Sequence, residues 1–411
     1  MHINICNYDA WINIIISILI VILNVTFNAA YYSYFLIISS LFMGYDLYHR
    51  WGKNGTISFH FSNQVRLLFL GNFLFYGSLF ISSLVLRDIS SLSRSLWLLS
   101  LTIPMYVLYY FSSSYNVTGG FQTGVIVSVA LNLLCGFLQM AGVYQKNIFD
   151  VNRMQGFWGH PNSMGLFMAF MAPVLLFMGV KAKGIYIKCV YFLLLLMSVI
   201  CLGLSQSRGA VVSLLSGGVV GLLFLIYIER KKISTKRLIV SIVAILSALV
   251  VTFSFYVSIS SNRGPGERKV MWEASIEMWE DHKMLGVGMS RWKENYYSPK
   301  YHPTGASEKN LNMPHNMALY FLSGAGIIGG VSYILLSLII FVVVFHCSAV
   351  LREIYGVLPL VIYTIFFIEG LFDSTISDKQ VALPFFAFVG FFVGTLDLKN
   401  TKTWIKMKRG K

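Results

Sequence analysis

Charged side chains are scarce in this sequence: only 12% of its 411 residues are Asp, Glu, Lys or Arg. Soluble domains carry about 25% charged residues, so a soluble enzyme with a single anchor is excluded. Apolar residues make up 56% of the chain instead. Long apolar runs such as 238–256 recur from end to end. They do not alternate with period two, which favours membrane-spanning helices over a barrel.

Acidic residues are the rarer charge, since 17 Asp and Glu stand against 32 Lys and Arg, for a formal net charge of +15. No nucleic-acid-binding module accompanies this excess, so we expect no nucleic-acid partner. We interpret the basic residues as topology signals and as contacts for membrane lipids, and the excess also favours an anionic lipid-phosphate substrate. The basic clusters are Lys181 to Lys188, Arg230 to Arg237 and Lys399 to Lys411.

Cysteine is sparse as well. The 5 cysteines are odd in number and mostly fall in or at apolar segments, which argues against a disulfide framework. They form no metal-ligand pattern, and the histidines are too scattered to predict a zinc site. No glycine-rich phosphate-binding loop follows a predicted strand. The sequence therefore predicts neither a metal nor a cofactor.

The apolar runs predict an all-α, polytopic integral membrane protein with about twelve spans. Placing the basic loops in the cytoplasm puts both chain ends inside and makes 261–315 the one large outer loop. Arg87 and Arg94 do not fit this arrangement, because they fall on the outer side. The tenth run is too long for one span, and its glycines predict a break at Gly324–Gly330. The predicted spans are 11–27, 30–45, 67–86, 95–112, 121–143, 163–180, 189–204, 209–228, 238–260, 316–347, 355–371 and 381–397.

This plan divides the chain into four regions. Residues 1–150 form N-terminal transmembrane helices, and 151–260 form central helices joined by short periplasmic arginine loops. Residues 261–315 are the large periplasmic loop, and 316–411 are C-terminal helices with a basic cytoplasmic tail. Within the loop, the segment from Glu267 to Glu280 predicts an amphipathic helix. Its two tryptophans, seven residues apart, suit a helix that lies in the membrane interface.

Three arginines lie in the outer loops beside helix ends: Arg153, Arg208 and Arg268. A planar guanidinium binds phosphate through two parallel charge-assisted hydrogen bonds and stays ionised. A diphosphate leaving group needs such neutralisation, because charge grows on it in the transition state. Simpler interpretations remain open at this point. Arg208 can snorkel at the end of a span, and Arg268 can lie on the solvated face of an amphipathic helix.

His315 follows a proline and begins the tenth span. The partial positive charge of a helix N-terminus favours the neutral imidazole, which can act as a general base. An interfacial histidine without a chemical role is the alternative. Glu369 and Asp373 lie at the outer end of the eleventh span, where an acidic residue can position an arginine or the histidine, or simply mark the boundary. His160 is interpreted as a turn residue.

A spaced pattern begins at this histidine: His315-Asn316, nine residues, then Gly326-Ile-Ile-Gly329. The pattern resembles the histidine motif of O-antigen ligases, H-[NSQ]-x9-G-x-x-G. A long outer loop between two late spans is also typical of that family. The resemblance covers roughly residues 150–335. Its other elements are Arg153-x-x-Gly-Phe-Trp-Gly-His-Pro-Asn, Ser207-Arg208-Gly209, and Arg268-x3-Trp272 followed by Leu285-Gly-Val-Gly.

The resemblance implies a metal-independent, inverting glycosyltransferase of the GT-C type in the bacterial inner membrane, with its site facing the periplasm. The donor would be O-antigen on undecaprenyl diphosphate, and the acceptor a sugar hydroxyl of lipid A-core. His315 would deprotonate or position that hydroxyl, while the donor diphosphate would be bound by Arg208, Arg268 and Arg153. Supporting roles would fall to Asn316, Trp272, Gly326 and Gly329. Asp373 lies beyond the range of this resemblance and is taken as a supporting residue from its position at the end of the eleventh span.

Two other functions stay open. O-antigen polymerases of the Wzy type belong to the same superfamily and would elongate the glycan on undecaprenyl diphosphate without lipid A-core. The ligase is favoured because the histidine motif fits without gaps and the number of spans is right. A transporter or flippase for lipid-linked glycan is disfavoured, because the spans contain almost no ionisable residues near the midplane.

Overall fold

The computed structural model describes residues 5–25, 30–54, 61–144, 152–229, 266–302, 311–351 and 354–409. These ranges form fourteen helices and no strand, which confirms the all-α class. The predicted ninth span at 238–260 and the basic cluster at 230–237 lie outside the described residues. The other eleven predicted spans all overlap helices.

The helices follow the apolar runs in chain order. They are α1 (Ile5–Asn24), α2 (Tyr31–Asn54), α3 (Asn63–Val85), α4 (Ile89–Ser100), α5 (Ile103–Ser114), α6 (Thr118–Met140), α7 (Pro161–Lys181), α8 (Ile185–Ser205), α9 (Arg208–Glu229), α10 (Gly266–Asp281), α11 (Trp292–Tyr296), α12 (Met317–Leu351), α13 (Ile354–Glu369) and α14 (Lys379–Arg409).

The described part of the chain contains 8 helical segments long and apolar enough to cross a membrane. One of them, Ile89–Ser114, joins α4 and α5. Shorter apolar helices lie at Tyr8–Asn24 and Gly356–Glu369. The predicted span at 30–45 is helical, as part of α2, but this helix is not among the 8 segments that are long and apolar enough to cross a membrane. The protein is therefore a multi-pass membrane protein.

Two compact units make up the structure. The first comprises Met1–Val65, Ile103–Ser207 and Leu383–Lys411. A buried carboxylate ties its helices together, because Asp46 of α2 accepts hydrogen bonds from the hydroxyls of Tyr8 (2.6 Å), Tyr110 (2.5 Å) and Tyr115 (2.5 Å). The Nε of Arg50 lies 2.9 Å from the same carboxylate. A buried charge kept this way is paired and fully hydrogen-bonded, as its burial requires.

The second unit comprises Arg66–Thr102 and Arg208–Ala382. Within it, α9 and α13 pack closely, because glycines remove side chains where the helices meet. A Cβ on Gly217 would lie 2.8 Å from Cγ1 of Ile365, and one on Gly221 would lie 2.7 Å from Cγ2 of Val361. This packing brings the first turn of α9 beside the last residue of α13.

The large loop has a small core of its own, also in the second unit. The predicted helix from Glu267 to Glu280 is confirmed as α10. Its inner face buries Met271, Ala274 and Met278, and the hydroxyl of Ser275 accepts a hydrogen bond from Nε1 of Trp292 at 2.9 Å. This face therefore packs on the loop, a partner that the sequence did not predict. The core is completed by Trp292, Tyr296, Tyr301 and Leu311.

The connection between α3 and α4 lies at the same end of this unit as the large loop. Arg291 of the loop pairs with Asp88 (Nε to Oδ2, 3.0 Å), and its guanidinium holds the pKa of that carboxyl well below its usual range. Arg94, which the topology rule left unexplained, donates from Nη2 to the carbonyl of Ser377 at 3.3 Å. Its position is thus accounted for by a bond to the segment that follows α13.

Candidate active site

The long helix α12 is broken at Gly326, where φ is 70° and ψ is −163°. The loop backbone after α10 packs into this break: the N–H of Ile327 donates to the carbonyl of Lys283 at 2.8 Å, and the N–H of Val287 donates to the carbonyl of Ser323 at 2.8 Å. A Cβ at Gly326 would collide with the carbonyl of Met284. The predicted break at Gly324–Gly330 is confirmed, with Gly326 as its pivot.

The other motif glycines serve the same junction. A Cβ at Gly286 would lie 2.5 Å from the carbonyl carbon of Gly324, so the Leu-Gly-Val-Gly turn of the loop can approach α12 only with glycine there. A Cβ at Gly329 would lie 2.8 Å from the carbonyl oxygen of Phe321. The two glycine motifs are therefore halves of one backbone contact.

His315 is held just before this helix in a left-handed backbone conformation, with φ 49°. Few non-glycine residues adopt that region, and those that do are kept there by their surroundings. One constraint comes from the loop, since Nε1 of Trp272 donates to the carbonyl of Pro314 at 3.0 Å. Another comes from Asn316, whose side chain accepts from the N–H of Leu319 (3.0 Å) and donates to the carbonyl of Leu371 (3.1 Å). Trp272 and Asn316 therefore fix the backbone on both sides of the histidine.

The imidazole of His315 forms a dyad with Asp373. Its Nδ1 lies 2.8 Å from Oδ1 of Asp373, and that oxygen also accepts from the N–H of Ser374 at 2.7 Å. The His315 side chain is 33% exposed and the Asp373 side chain 17%. A carboxylate at Nδ1 assigns the proton to that nitrogen, which leaves the lone pair of Nε2 as a proton acceptor. An imidazole oriented in this way has the geometry that a general base requires.

The turn that carries Asp373 is attached to α9 through Glu369. The carbonyl of Glu369 accepts from the N–H of Asp373 at 2.8 Å, while its carboxylate accepts from the hydroxyl of Ser213 at 2.8 Å. Glu369 is only 2% exposed. A Cβ on Gly209 would lie 2.5 Å from Oε1 of Glu369, so the glycine after Arg208 makes room for this carboxyl. Arg208 precedes this glycine on the first turn of α9. Glu369 therefore links that turn to Asp373 of the histidine dyad.

Arg268 lies on the first turn of α10 and is exposed. It lies one turn before Trp272, whose Nε1 donates to the carbonyl of Pro314, the residue before His315. Five of the predicted site residues, His315, Asn316, Asp373, Arg208 and Trp272, thus belong with Arg268 to one end of the second unit. No group of three or more His, Cys, Asp or Glu side chains in the described ranges is placed to hold a metal ion.

Arg153 belongs to the first unit, where it is only 8% exposed. Its Nε donates to the carbonyl of Ser205 at 2.9 Å, and its Nη2 donates to Oδ1 of Asn162 at 2.7 Å. Its own carbonyl accepts from Nε2 of Gln139 at 3.0 Å. These bonds favour a structural role for Arg153 in joining the ends of α7 and α8. Its predicted contact with a diphosphate stays a prediction.

A comparison with known protein families matches the region that contains His315, Arg208 and Arg268. A family model described as O-antigen ligase matches residues 192–334. Over this stretch the chain is similar to the O-antigen ligase family. No curated protein matches it. Members of this family are glycosyltransferase-like enzymes of the ligase or polymerase type, which act on lipid-linked polysaccharide in a membrane.

The part matched to O-antigen ligases runs from α8 to the second half of α12. It includes Arg208, Arg268, Trp272, His315 and both glycines of the histidine motif, and it ends before Asp373. Ser213 was missed by sequence reasoning. Its signal was a polar side chain one turn after Gly209 in a largely apolar helix, where the hydroxyl faces Glu369. His160 accepts from the N–H of Asn162 at 3.2 Å as the cap of α7, which confirms it as a turn residue.

Proposed function

We propose that the protein is an O-antigen ligase of the bacterial inner membrane. It would transfer O-antigen polysaccharide from undecaprenyl diphosphate to a sugar hydroxyl of lipid A-core, at a site that faces the periplasm. The observation that carries this proposal is the His315–Asp373 dyad, positioned at the same end of one compact unit as the arginines of α9 and α10. The family match supports the reaction class.

In the proposed reaction, Nε2 of His315 takes the proton of the acceptor hydroxyl as its oxygen attacks the anomeric carbon. The new glycosidic C–O bond forms on the face opposite to the leaving group, so the configuration inverts. The bond from the anomeric carbon to the diphosphate oxygen breaks, and its electron pair goes to the diphosphate. Arg208 and Arg268 neutralise the charge that grows there. Because these cations can supply the neutralisation, the proposed mechanism is of the metal-independent GT-C type.

Asp373 has a specific role in this mechanism. It holds the proton on Nδ1, so that Nε2 is the basic atom, and it stabilises the imidazolium that forms. Trp272 and Asn316 keep the ring in place through the backbone on either side. The left-handed backbone at His315 turns the side chain out of the helix that follows.

The banding pattern of lipopolysaccharide tests the proposal against its alternatives. A strain in which the gene is deleted should lose every O-antigen band. Expression of the wild-type protein should restore these bands, whereas expression of His315→Ala should not. A single band of core plus one repeat would instead indicate an O-antigen polymerase. Movement of lipid-linked glycan across proteoliposomes without a new covalent product would indicate a transporter.

A further inference from the structure

The loop helix α10 presents three distinct faces. Its inner face packs on the loop core through Met271, Ala274, Ser275 and Met278, while an acidic flank exposes Glu273, Glu277 and Glu280. At 100° per residue, the opposite flank carries a mixture of basic and apolar side chains. That flank consists of Arg268, Lys269, Trp272, Ile276 and Trp279. The acidic side chains thus share one flank and the aromatic ones the other, and Lys269 lies at the border between them, with its Nζ 3.6 Å from Oε1 of Glu273.

The depth of this helix relative to a membrane is set by the break in α12. The segment from Ile327 to Leu351 is roughly 37 Å long at about 1.5 Å per residue, enough by itself to cross a hydrocarbon core of about 30 Å. A span of this length can begin at the break, which would place Gly326 at a membrane surface. The carbonyl of Lys283 accepts from the N–H of Ile327 at 2.8 Å, so the turn that ends α10 lies at the same surface.

The exposed apolar surface is continuous across this junction. Along α12, Ile327, Val331 and Ile334 are exposed, as expected for a lipid-facing stripe. Next to Ile327, the side chain of Met284 is 65% exposed, and eight residues earlier, on α10, Ile276 is 40% exposed. Nε1 of Trp279 donates to the carbonyl of Lys283 at 3.2 Å, which lays this ring over the turn. The apolar stripe of α12 thus extends onto the basic–aromatic flank of α10.

We propose that the basic–aromatic flank of α10 rests on the surface of the bilayer. Ile276, Trp279 and Met284 would enter the interfacial layer, while Lys269 and Lys283 contact anionic phosphates of the lipid headgroups. A tryptophan beside lysines is the usual composition of a helix in this layer. The acidic flank faces water, where these phosphates do not repel it.

This contact has a consequence for the histidine. Trp272 lies on the same flank and bonds to Pro314, so a membrane-bound α10 fixes the height of His315 above the bilayer. The position of α10 on the bilayer does not depend on which reaction the protein catalyses.

Spin labels in the full-length protein, reconstituted into vesicles that contain phosphatidylglycerol, test this directly. Labels would be placed with Ile276→Cys and Met284→Cys, and with Glu277→Cys as the matched control one residue away. The five native cysteines would be replaced by alanine. The labels at 276 and 284 should collide more often with oxygen than with a water-soluble nickel chelate, and the label at 277 should show the reverse order. Nickel access at all three positions, or burial of 276 and 284 from both reagents, would overturn the proposal.

A second measurement avoids cysteine replacement. In vesicles of lipids brominated near the glycerol end of the acyl chains, the wild-type protein should lose a fraction of its tryptophan fluorescence. Trp279→Phe should reduce the quenchable fraction, while the thermal midpoint in detergent stays within a few degrees of the wild-type value. An unchanged quenchable fraction would mean that Trp279 does not reach the lipid, and a partner protein would then be the better occupant of this flank.

Discussion

Nδ1 of His315 lies 2.8 Å from Oδ1 of Asp373, across 58 residues of sequence. If this pair acts as base and orienting carboxylate, His315→Ala should lower transfer by about 10²-fold or more, since general base catalysis contributes about that much. Asp373→Asn should lower it at least about 10-fold, because an amide no longer selects the proton on Nδ1. Transfer would be measured with purified lipid-linked donor and lipid A-core.

Asp378→Asn is the matched control for this pair. Its carboxylate accepts from the N–H of Gln380 at 2.9 Å, in the same segment between α13 and α14. This variant should be less stable but should retain its specific activity. If Asp373→Asn is as active as Asp378→Asn, Asp373 has no role in the mechanism. If His315→Ala keeps more than roughly a tenth of the wild-type activity, His315 is not the general base.

Arg208→Lys tests whether the arginine of α9 recognises phosphate through its planar fork. Lysine keeps the charge but cannot form two parallel hydrogen bonds, so transfer should fall about 10-fold or more, with a higher KM for the lipid diphosphate. Arg87→Lys makes the same exchange at an exposed position in the connection between α3 and α4 and should be silent. If Arg208→Lys is silent too, Arg208 only anchors the end of a span.

Gly326→Ala should destabilise the protein, because alanine is strained at φ 70° and its Cβ would collide with the loop backbone at Met284. We expect a cost of about 1–3 kcal/mol from the backbone strain alone. Thermal inactivation in detergent measures it. Gly77→Ala is the matched control, since a Cβ there meets no atom within 4 Å and alanine favours the helix. Equal midpoints for the two variants would contradict the docking of the loop into the break.

Hydropathy and glycine placement were enough to predict the helices and the break in α12, because both are local properties of the chain. The histidine and the arginines of α9 and α10 could be named as candidates because their residue types suit proton transfer and phosphate binding. Asp373 could be named from the sequence only as one of two acidic residues near a span end. Its pairing with His315 depends on how α12 and α13 meet, which no local pattern encodes.

Two other features could not be predicted from the sequence for the same reason. The core of the large loop joins α10 to Trp292 and Tyr296 across an irregular segment without periodicity, so the inner face of α10 had no visible partner. The burial of Arg153 depends on Ser205 and Asn162, which come from the ends of different helices. An arginine near a helix end looks the same in sequence whether it reaches solvent or turns inward.

The ion pair between Asp88 and Arg291 predicts acid sensitivity of the loop contact. The guanidinium lowers the folded-state pKa of Asp88, so this pair contributes stability that is present above the ordinary aspartate pKa. That contribution is lost as the pH falls towards the lower, folded-state value. Asp88→Asn should therefore reduce the thermal midpoint at pH 7, and the difference from wild type should shrink as the pH falls below about 4. A difference that stays constant down to pH 3 would show that the charge of Asp88 contributes nothing.

Gly209→Ala should move Arg208 relative to the His315–Asp373 dyad. The added Cβ would lie 2.5 and 2.6 Å from the two carboxylate oxygens of Glu369, which is too close for either group to stay in place. Since a misplacement of about 1 Å can cost about 10²-fold, we expect transfer to fall at least about 10-fold. Gly218→Ala on the same helix meets no atom within 4 Å and should leave transfer unchanged. Adding Glu369→Asp withdraws the carboxylate by one methylene, so it should restore part of the activity of Gly209→Ala. A double variant no more active than Gly209→Ala would show that the collision with Glu369 is not what displaces the arginine.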